Sequence, residues 1–342
     1  MTFISRRSFV SAALAAGVAL SATTGAMAQE TRNYILSTAS TGGTYYPVGV
    51  AISTLTKVRL EPSEGIGMSA ISSAGSGENV RLLREGEAQF AILQGLFGYY
   101  AATGTGPVEA DGPQEHLRSV SMLWPNVEHF IIASDRVQSG TVSDLVALKG
   151  EPMAMGRQNS GTIGSNRTIL DGFGINIDED YELIYGGYGP SAEAVQNGQA
   201  VGMSTPAGAP VGAVTQLLSA AGDRVTLLSF TPEEMETADG GRGLWTEYTI
   251  AAGTYPGIDE DVTTIAQPNF LATHQDIPEE DVYLITKTMY ENLRFLQAIH
   301  PATNNMSLEA AIAGLPVPLH PGAARFYEEQ GIEIPDNLMP PQ

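Results

Sequence analysis

The 342-residue chain contains no cysteine and only three lysines, Lys57, Lys149 and Lys287. Without a thiol there is no disulfide framework, no thiolate nucleophile and no cysteine-ligated metal centre. A chain of this length can bury enough apolar surface to be stable without cross-links. Positive charge is scarce throughout: 17 Lys and Arg stand against 38 Asp and Glu, a net charge of −21. Such a balance repels a phosphate backbone and argues against nucleic acid as a partner. It also predicts stabilisation by salt, which screens self-repulsion, as suits a marine or halophilic protein. Beyond the N-terminal segment no run has the length and apolarity of a membrane span.

Other absences narrow the chemistry. The five histidines, His116, His129, His274, His300 and His320, are dispersed, and none makes the His-x-x-x-His spacing of a helical zinc site. No metal is expected. Gly-x-Gly-x-x-Gly is missing from the glycine-rich loops, as is the lysine of a phosphate-binding loop, so no nucleotide cofactor is expected either. The closest echo of a hydrolase elbow, Ala74-Gly75-Ser76-Gly77-Glu78, lacks the first glycine and reads as a helix cap at Ser76. The 38 carboxylates are too scattered to nominate a glycosidase pair. A binding protein is expected, without catalytic residues.

What is present begins with an export signal. Arg6 and Arg7, with no acidic neighbour, precede an apolar run from Phe9 to Leu20 and the small-residue pattern Ala26-Met27-Ala28. The arginine pair within Ser5-Arg6-Arg7-Ser8-Phe9 looks like a twin-arginine signal. Residues 1–28 are therefore expected to be removed, leaving 314 residues with 15 basic and 38 acidic groups, a net charge of −23, in the periplasm.

A rough internal repeat organises the remainder. Tyr34–Ala39 reads as a strand, Ser40-Thr41-Gly42-Gly43-Thr44 as a loop, and a helix follows from Pro47 with apolar Val48, Ala51, Ile52 and Leu55. Pro152–Gly156, Asn159-Ser160-Gly161-Thr162 and a helix through Ile169 and Leu170 repeat the order. Glu85-Gly86-Glu87-Ala88-Gln89-Phe90-Ala91 is echoed by Asn197-Gly198-Gln199-Ala200-Val201-Gly202-Met203, after a short helix opened by Ser191. The paired loops lie 118 residues apart and the paired turns 112. Two matches in the same order predict two α/β lobes with mostly parallel sheets. Candidate crossings at 119–134 and 248–271 divide them into lobe I, 29–125 with 256–342, and lobe II, 126–255. A helix with a capping-box start at Asp276 and Glu279, and a stripe of Val282, Ile285, Met289, Leu293 and Leu296, is expected to pack on lobe I.

Each glycine-rich loop joins a strand to a helix, where unpaired N–H groups and the helix dipole favour an anion. Thr41, Thr44, Ser160 and Thr162 offer hydroxyls and Asn159 an amide. The same hydroxyls could equally cap their own helices. Arg81, Arg157 and Arg167 are candidates for a formal positive charge. Tyr46 is expected in the core with its hydroxyl at the surface, Tyr255 at the ligand or hinge, and His320 holding the C-terminal tail against the first lobe.

Thr41-Gly42-Gly43-Thr44-Tyr45-Tyr46-Pro47, Gly75-Ser76-Gly77-Glu78-Asn79 and Gly86-Glu87-Ala88 through Gln94 resemble the TAXI family, the extracytoplasmic solute receptors of TRAP transporters. Ser160-Gly161-Thr162, Gly253-Thr254-Tyr255-Pro256-Gly257 and Pro318–Ala323 extend the likeness over nearly the whole mature chain. The resemblance implies a two-lobed periplasmic-binding-protein fold of type II, with a ligand cleft between lobes, and a monomer. It implies capture of a small carboxylate such as glutamate or 2-oxoglutarate, and its delivery to a TRAP membrane subunit. It further implies contacts from Thr41, Gly43, Thr44, Tyr45, Ser76 and Gln94 in one lobe, Asn159, Ser160, Gly161 and Thr162 in the other, and Tyr255 near the crossing.

Overall fold

The computed structural model describes residues 31–341; the Arg6–Arg7 signal and the cleavage site at Ala28 fall outside them. The chain first forms β1 (Arg32–Ser37), α1 (Tyr45–Glu64), β2 (Ile66–Ile71), α2 (Ser76–Arg84), β3 (Phe90–Gln94), α3 (Gly95–Thr103) and β4 (Leu117–Val127). There follow β5 (Phe130–Ala133), β6 (Pro152–Gly156), α4 (Gly161–Asp171), α5 (Ile177–Asp180), β7 (Glu182–Tyr185) and α6 (Tyr188–Gln196). Then come β8 (Gly202–Ser204), α7 (Gly212–Ala221), β9 (Val225–Leu227) and α8 (Pro232–Asp239). The last elements are β10 (Thr246–Ile250), β11 (Val262–His274), α9 (Glu279–Glu291), α10 (Leu293–Ile299) and α11 (Pro321–Glu329).

Two mixed sheets result, and not the mostly parallel ones expected, because the long β11 and the crossing strand β5 pair antiparallel; with their flanking helices they make a bilobed α/β fold. The first runs β10-β11-β3-β1-β2, with β4 also paired to β11; the second runs β7-β6-β8-β5-β9. Strand β1 is parallel to β2 and β3, and β6 is parallel to β7 and β8. Parallel neighbours need a crossover, which the intervening helices supply. The long β11 is antiparallel to β3, β4 and β10, and β5 is antiparallel to β8 and β9. Only Glu128 and His129 separate β4 of the first sheet from β5 of the second. Glu128 N–H donates to Ile265 O at 2.9 Å, so the outgoing and returning strands are bonded where the chain passes between lobes.

Both faces of each sheet are covered, and the strand period of two assigns side chains to them. In the second lobe Phe130, Ile132, Met153 and Met155 enter one cluster with Ile169 and Leu170, while Ile131 and Ala154 enter another with Val214 and Leu217. In the first lobe Val48, Ile52 and Leu55 of α1 pack with Phe90 and Ile92 of β3 and with Val282, Ile285, Met289 and Leu296. The apolar stripe is therefore core packing on the first lobe, as its spacing indicates.

Three local expectations are corrected. Asp276 does not cap the late helix: its N–H donates to His274 Nδ1, and Pro278 occupies the cap position of α9. That helix is also broken at Asn292, whose side-chain amide donates to Thr288 O and competes with the backbone ladder. Ser191 lies inside α6, which begins earlier at Tyr188 behind Gly187. His320 caps α11 by accepting from Gly322 N–H through Nδ1, and its Nε2 lies 3.0 Å from Ile277 O, tying the C-terminal segment to the first lobe.

Candidate functional site

The strand ends of the two lobes face one another across a small cavity of about 30 Å³. Ser40, Gly43, Thr44 and Tyr45 line it from the β1–α1 loop, Gly75 and Ser76 from the start of α2, and Gln94 from the end of β3. The second lobe contributes Arg157, Ser160, Gly161 and Thr162 before and within α4, Gly187 and Tyr188 at the start of α6, and Pro206 and Ala207 after β8. Four helices, α1, α2, α4 and α6, thus begin at one cavity. First-turn N–H groups have no acceptor inside their own helix, and each N-terminus carries a partial positive charge. No Asp or Glu is among the described residues that line the space. Such an arrangement favours negative charge over positive.

Hydrogen bonds show how the hydroxyls are used. Ser160 is the N-cap of α4: its Oγ accepts from Ile163 N–H at 3.1 Å and donates to Arg157 O at 2.7 Å. Tyr188 OH donates to Pro206 O at 2.7 Å, so Thr162 Oγ1, 2.9 Å away, must donate to Tyr188. Thr44 Oγ1 donates to Gly208 O at 2.8 Å, and Tyr45 OH donates to Asn269 Oδ1. Burial pushes both tyrosine hydroxyls well above their usual pKa, so both stay protonated. Ser76 does not cap α2, whose cap is Gly75; its Oγ accepts instead from Gln94 N–H at 3.1 Å and fixes the end of β3. The hydroxyls therefore shape the cavity, and the donors able to face an occupant are the remaining first-turn backbone N–H groups and the Arg157 guanidinium.

Of the residues expected from sequence, Gly43, Thr44, Tyr45, Ser76, Gln94, Ser160, Gly161 and Thr162 line this cavity. Thr41 is exposed and outside the lining. Asn159 lines the wider groove at the mouth; it holds a left-handed backbone, φ 60°, and its carbonyl accepts from Glu78 N–H of the first lobe at 2.9 Å. Tyr255 is buried near the crossing strands, where its OH donates to His129 Nε2 at 2.7 Å and accepts from Val211 N–H at 2.9 Å. Tyr46 is half-buried and outside the lining. Among the three arginines, Arg81 pairs with Glu85 and Arg167 pairs with Asp178 at 2.7 Å, whereas Arg157 lines the cavity.

Gly187, Tyr188 and Pro206 were not foreseen, yet the repeat contains them. An offset of 112 carries Gly75 to Gly187, Ser76 to Tyr188 and Gln94 to Pro206. Their chemistry hides the match, because only backbone position is shared. Asn79 escaped for another reason: it touches no occupant but holds the loops in place. Its Nδ2 donates to Thr38 O at 2.7 Å and Ile92 O at 2.9 Å, and its Oδ1 accepts from Ser73 Oγ at 2.7 Å. Asn79→Ala should lower stability by about 2 kcal/mol, because it removes the amide donor from the buried Thr38 and Ile92 carbonyls and leaves only Ser73 Oγ on the former. Equilibrium urea unfolding checks this, and an unchanged midpoint would contradict it.

The two lobes touch directly around the cavity. Gln94 Nε2 donates to Gly161 O at 3.0 Å, Tyr188 N–H to Ser40 Oγ at 3.3 Å, and Tyr100 OH lies 2.7 Å from Thr168 Oγ1.

The model of the NMT1-like family matches residues 36–331. The chain belongs to the NMT1-like family. Solved structures agree on architecture. A protein from Bordetella bronchiseptica RB50 is 12% identical with a TM-score of 0.52, covering 89% of this chain and 90% of its own. MatC from Rhodopseudomonas palustris, solved with bound malate, is 13% identical with a TM-score of 0.50, covering 87% and 96%. At such identity the likeness is one of fold. Among the described residues no helix is long and apolar enough to cross a membrane. Nor does any group of three His, Asp or Glu among them stand ready to hold a metal ion.

Proposed function

We propose that this chain is an extracytoplasmic solute receptor that closes on a small organic anion and delivers it to a TRAP-type membrane transporter. The observation that carries the reading is the convergence of four helix N-termini on one cavity without a carboxylate in its lining. An acidic chain whose described residues place no carboxylate in the lining of this cavity makes the cavity an exception to its own field. The malate in the MatC structure supports a small carboxylate as the occupant. Glutamate, 2-oxoglutarate and the TRAP partner are supported by the sequence resemblance to the TAXI receptors.

Binding works by domain closure. A ligand stabilises the closed form by its extra affinity for that form over the open one. The contributing loops belong to different lobes, so all four helix starts surround an anion only when the lobes meet. Titration calorimetry over L-malate, succinate, 2-oxoglutarate and L-glutamate tests the class; a preference for a cation or a neutral sugar would sink it. Thr44→Val should weaken the best acid by ~1–2 kcal/mol, roughly 5- to 30-fold, since it removes the hydroxyl that bonds Gly208 O in the closed form. Undiminished affinity in that variant would remove Thr44 from the site and leave the class untouched.

A further inference from the structure

The mouth of the cavity opens into a wider groove lined by four arginines, Arg81, Arg84, Arg157 and Arg167. Three of them are neutralised locally. Arg81 pairs with Glu85, Arg84 with Asp111, and Arg167 with Asp178. Arg157 differs: among the described residues its guanidinium has no carboxylate partner, and its hydrogen bond runs from Nη1 to Ser73 O of the first lobe, at 3.3 Å. It alone of the four also lines the inner cavity. It stands where groove and cavity meet, exposed, on the loop that leads into α4.

We propose that Arg157 is both the steering charge and the latch of the cleft. This rests on the anion reading above. The chain repels anions at long range through its net charge, so an unpaired cation at the opening is the local feature able to draw one in. In the open form the guanidinium meets the incoming acid. On closure it reaches across to Ser73 O and covers the opening behind the ligand. Being exposed, the charge acts more on the rate of capture than on the depth of binding. The planar fork of arginine, with several donors, can hold a carbonyl on one side and a carboxylate on the other; an ammonium lacks that geometry.

Stopped-flow fluorescence provides the test, because Trp124 and Trp245, the two tryptophans of the chain, are both buried and report on closure. The probes are L-malate, succinate, 2-oxoglutarate and L-glutamate. Arg157→Gln should slow association about tenfold in dilute buffer, and the deficit should vanish toward molar salt. Arg157→Lys should keep the salt-dependent association of the wild type but release the acid several-fold faster. An Arg157→Gln protein that associates at the wild-type rate with the wild-type salt dependence overturns the proposal. A slowing independent of salt overturns the steering role. If the wild type binds none of the four acids, the anion reading fails first and the latch with it.

Discussion

Gly77→Ala should weaken ligand binding about 100-fold while leaving the thermal midpoint of the ligand-free protein unchanged or raised. Gly77 sits in the first turn of α2 in the first lobe, and a Cβ built there would lie 2.5 Å from the backbone oxygen of Asn159 in the second. A backbone atom bonded to Glu78 N–H cannot give way as a flexible side chain does. The clash therefore forces the lobes apart, at a cost of about 3 kcal/mol, equivalent to roughly two orders of magnitude in affinity. Within the first lobe alanine is the better helix former by about 1 kcal/mol, so the substitution does not harm the fold. Gly189→Ala is the control, because a Cβ there meets nothing within 4 Å. Calorimetry with the best acid of the panel, together with small-angle scattering, reads out both effects. Wild-type affinity in Gly77→Ala would show that function does not need this closed geometry.

The second large effect concerns Glu128. Its carboxyl is buried at the crossing between lobes, and desolvation pushes its pKa up to about 7 despite the Ser165 hydroxyl, which donates to Oε1 at 3.0 Å. Oε2 makes no hydrogen bond of good geometry, but Trp245 Nε1 and the Gln267 amide lie close enough to oppose part of the shift. In the unfolded chain a glutamate titrates near ~4.3. At pH 4 both states hold the proton and there is no penalty. Between about pH 4.5 and 7 the unfolded state loses its proton while the folded state keeps it, so stability falls with rising pH and levels off above 7. The full loss is about 4 kcal/mol. Glu128→Gln removes the titration. It should lie within about 1 kcal/mol of the wild type near pH 4 and exceed it by about 4 kcal/mol at pH 8, measured by urea unfolding at each pH. Equal stability at pH 8 would mean that the charged carboxylate is satisfied by partners beyond Ser165. His129, next in the chain, is held neutral with its pKa lowered to about 4 by burial, so it stays uncharged over this range.

The glycines at the cleft have two jobs, and only one was legible. Strand–glycine–helix patterns mark helix starts, and helix starts favour anions, so the loops around Gly43 and Gly161 could be read as anion sites without a structure. The second job is to let two lobes approach. A Cβ on Gly164 would stand 2.6 Å from the Phe97 ring, and one on Gly161 would stand 2.6 Å from Gln94 Oε1. Both neighbours are distant in sequence and belong to the other lobe, and no local pattern carries that information.

The sequence by itself indicated the strand–loop–helix elements around the two glycine-rich loops, the two-lobed repeat and eight of the cavity-lining positions. These follow from short-range physics: apolar periodicity selects helix or strand, glycine and serine mark their ends, and a helix start fixes the direction of its dipole. Only the tertiary structure decided which arginine reaches the cavity, because Arg81, Arg157 and Arg167 differ in neighbours and not in type. It likewise decided that Thr44, Ser160 and Thr162 give their protons to the protein, since a hydroxyl takes the nearest well-placed acceptor and that acceptor is set by packing. Tyr255 completes a chain through His129 at the crossing, and Gly187 and Tyr188 bring a fourth helix start to the cavity, for the same reason. These contacts are made between residues far apart in the chain, and their distances exist only after the lobes have folded and met.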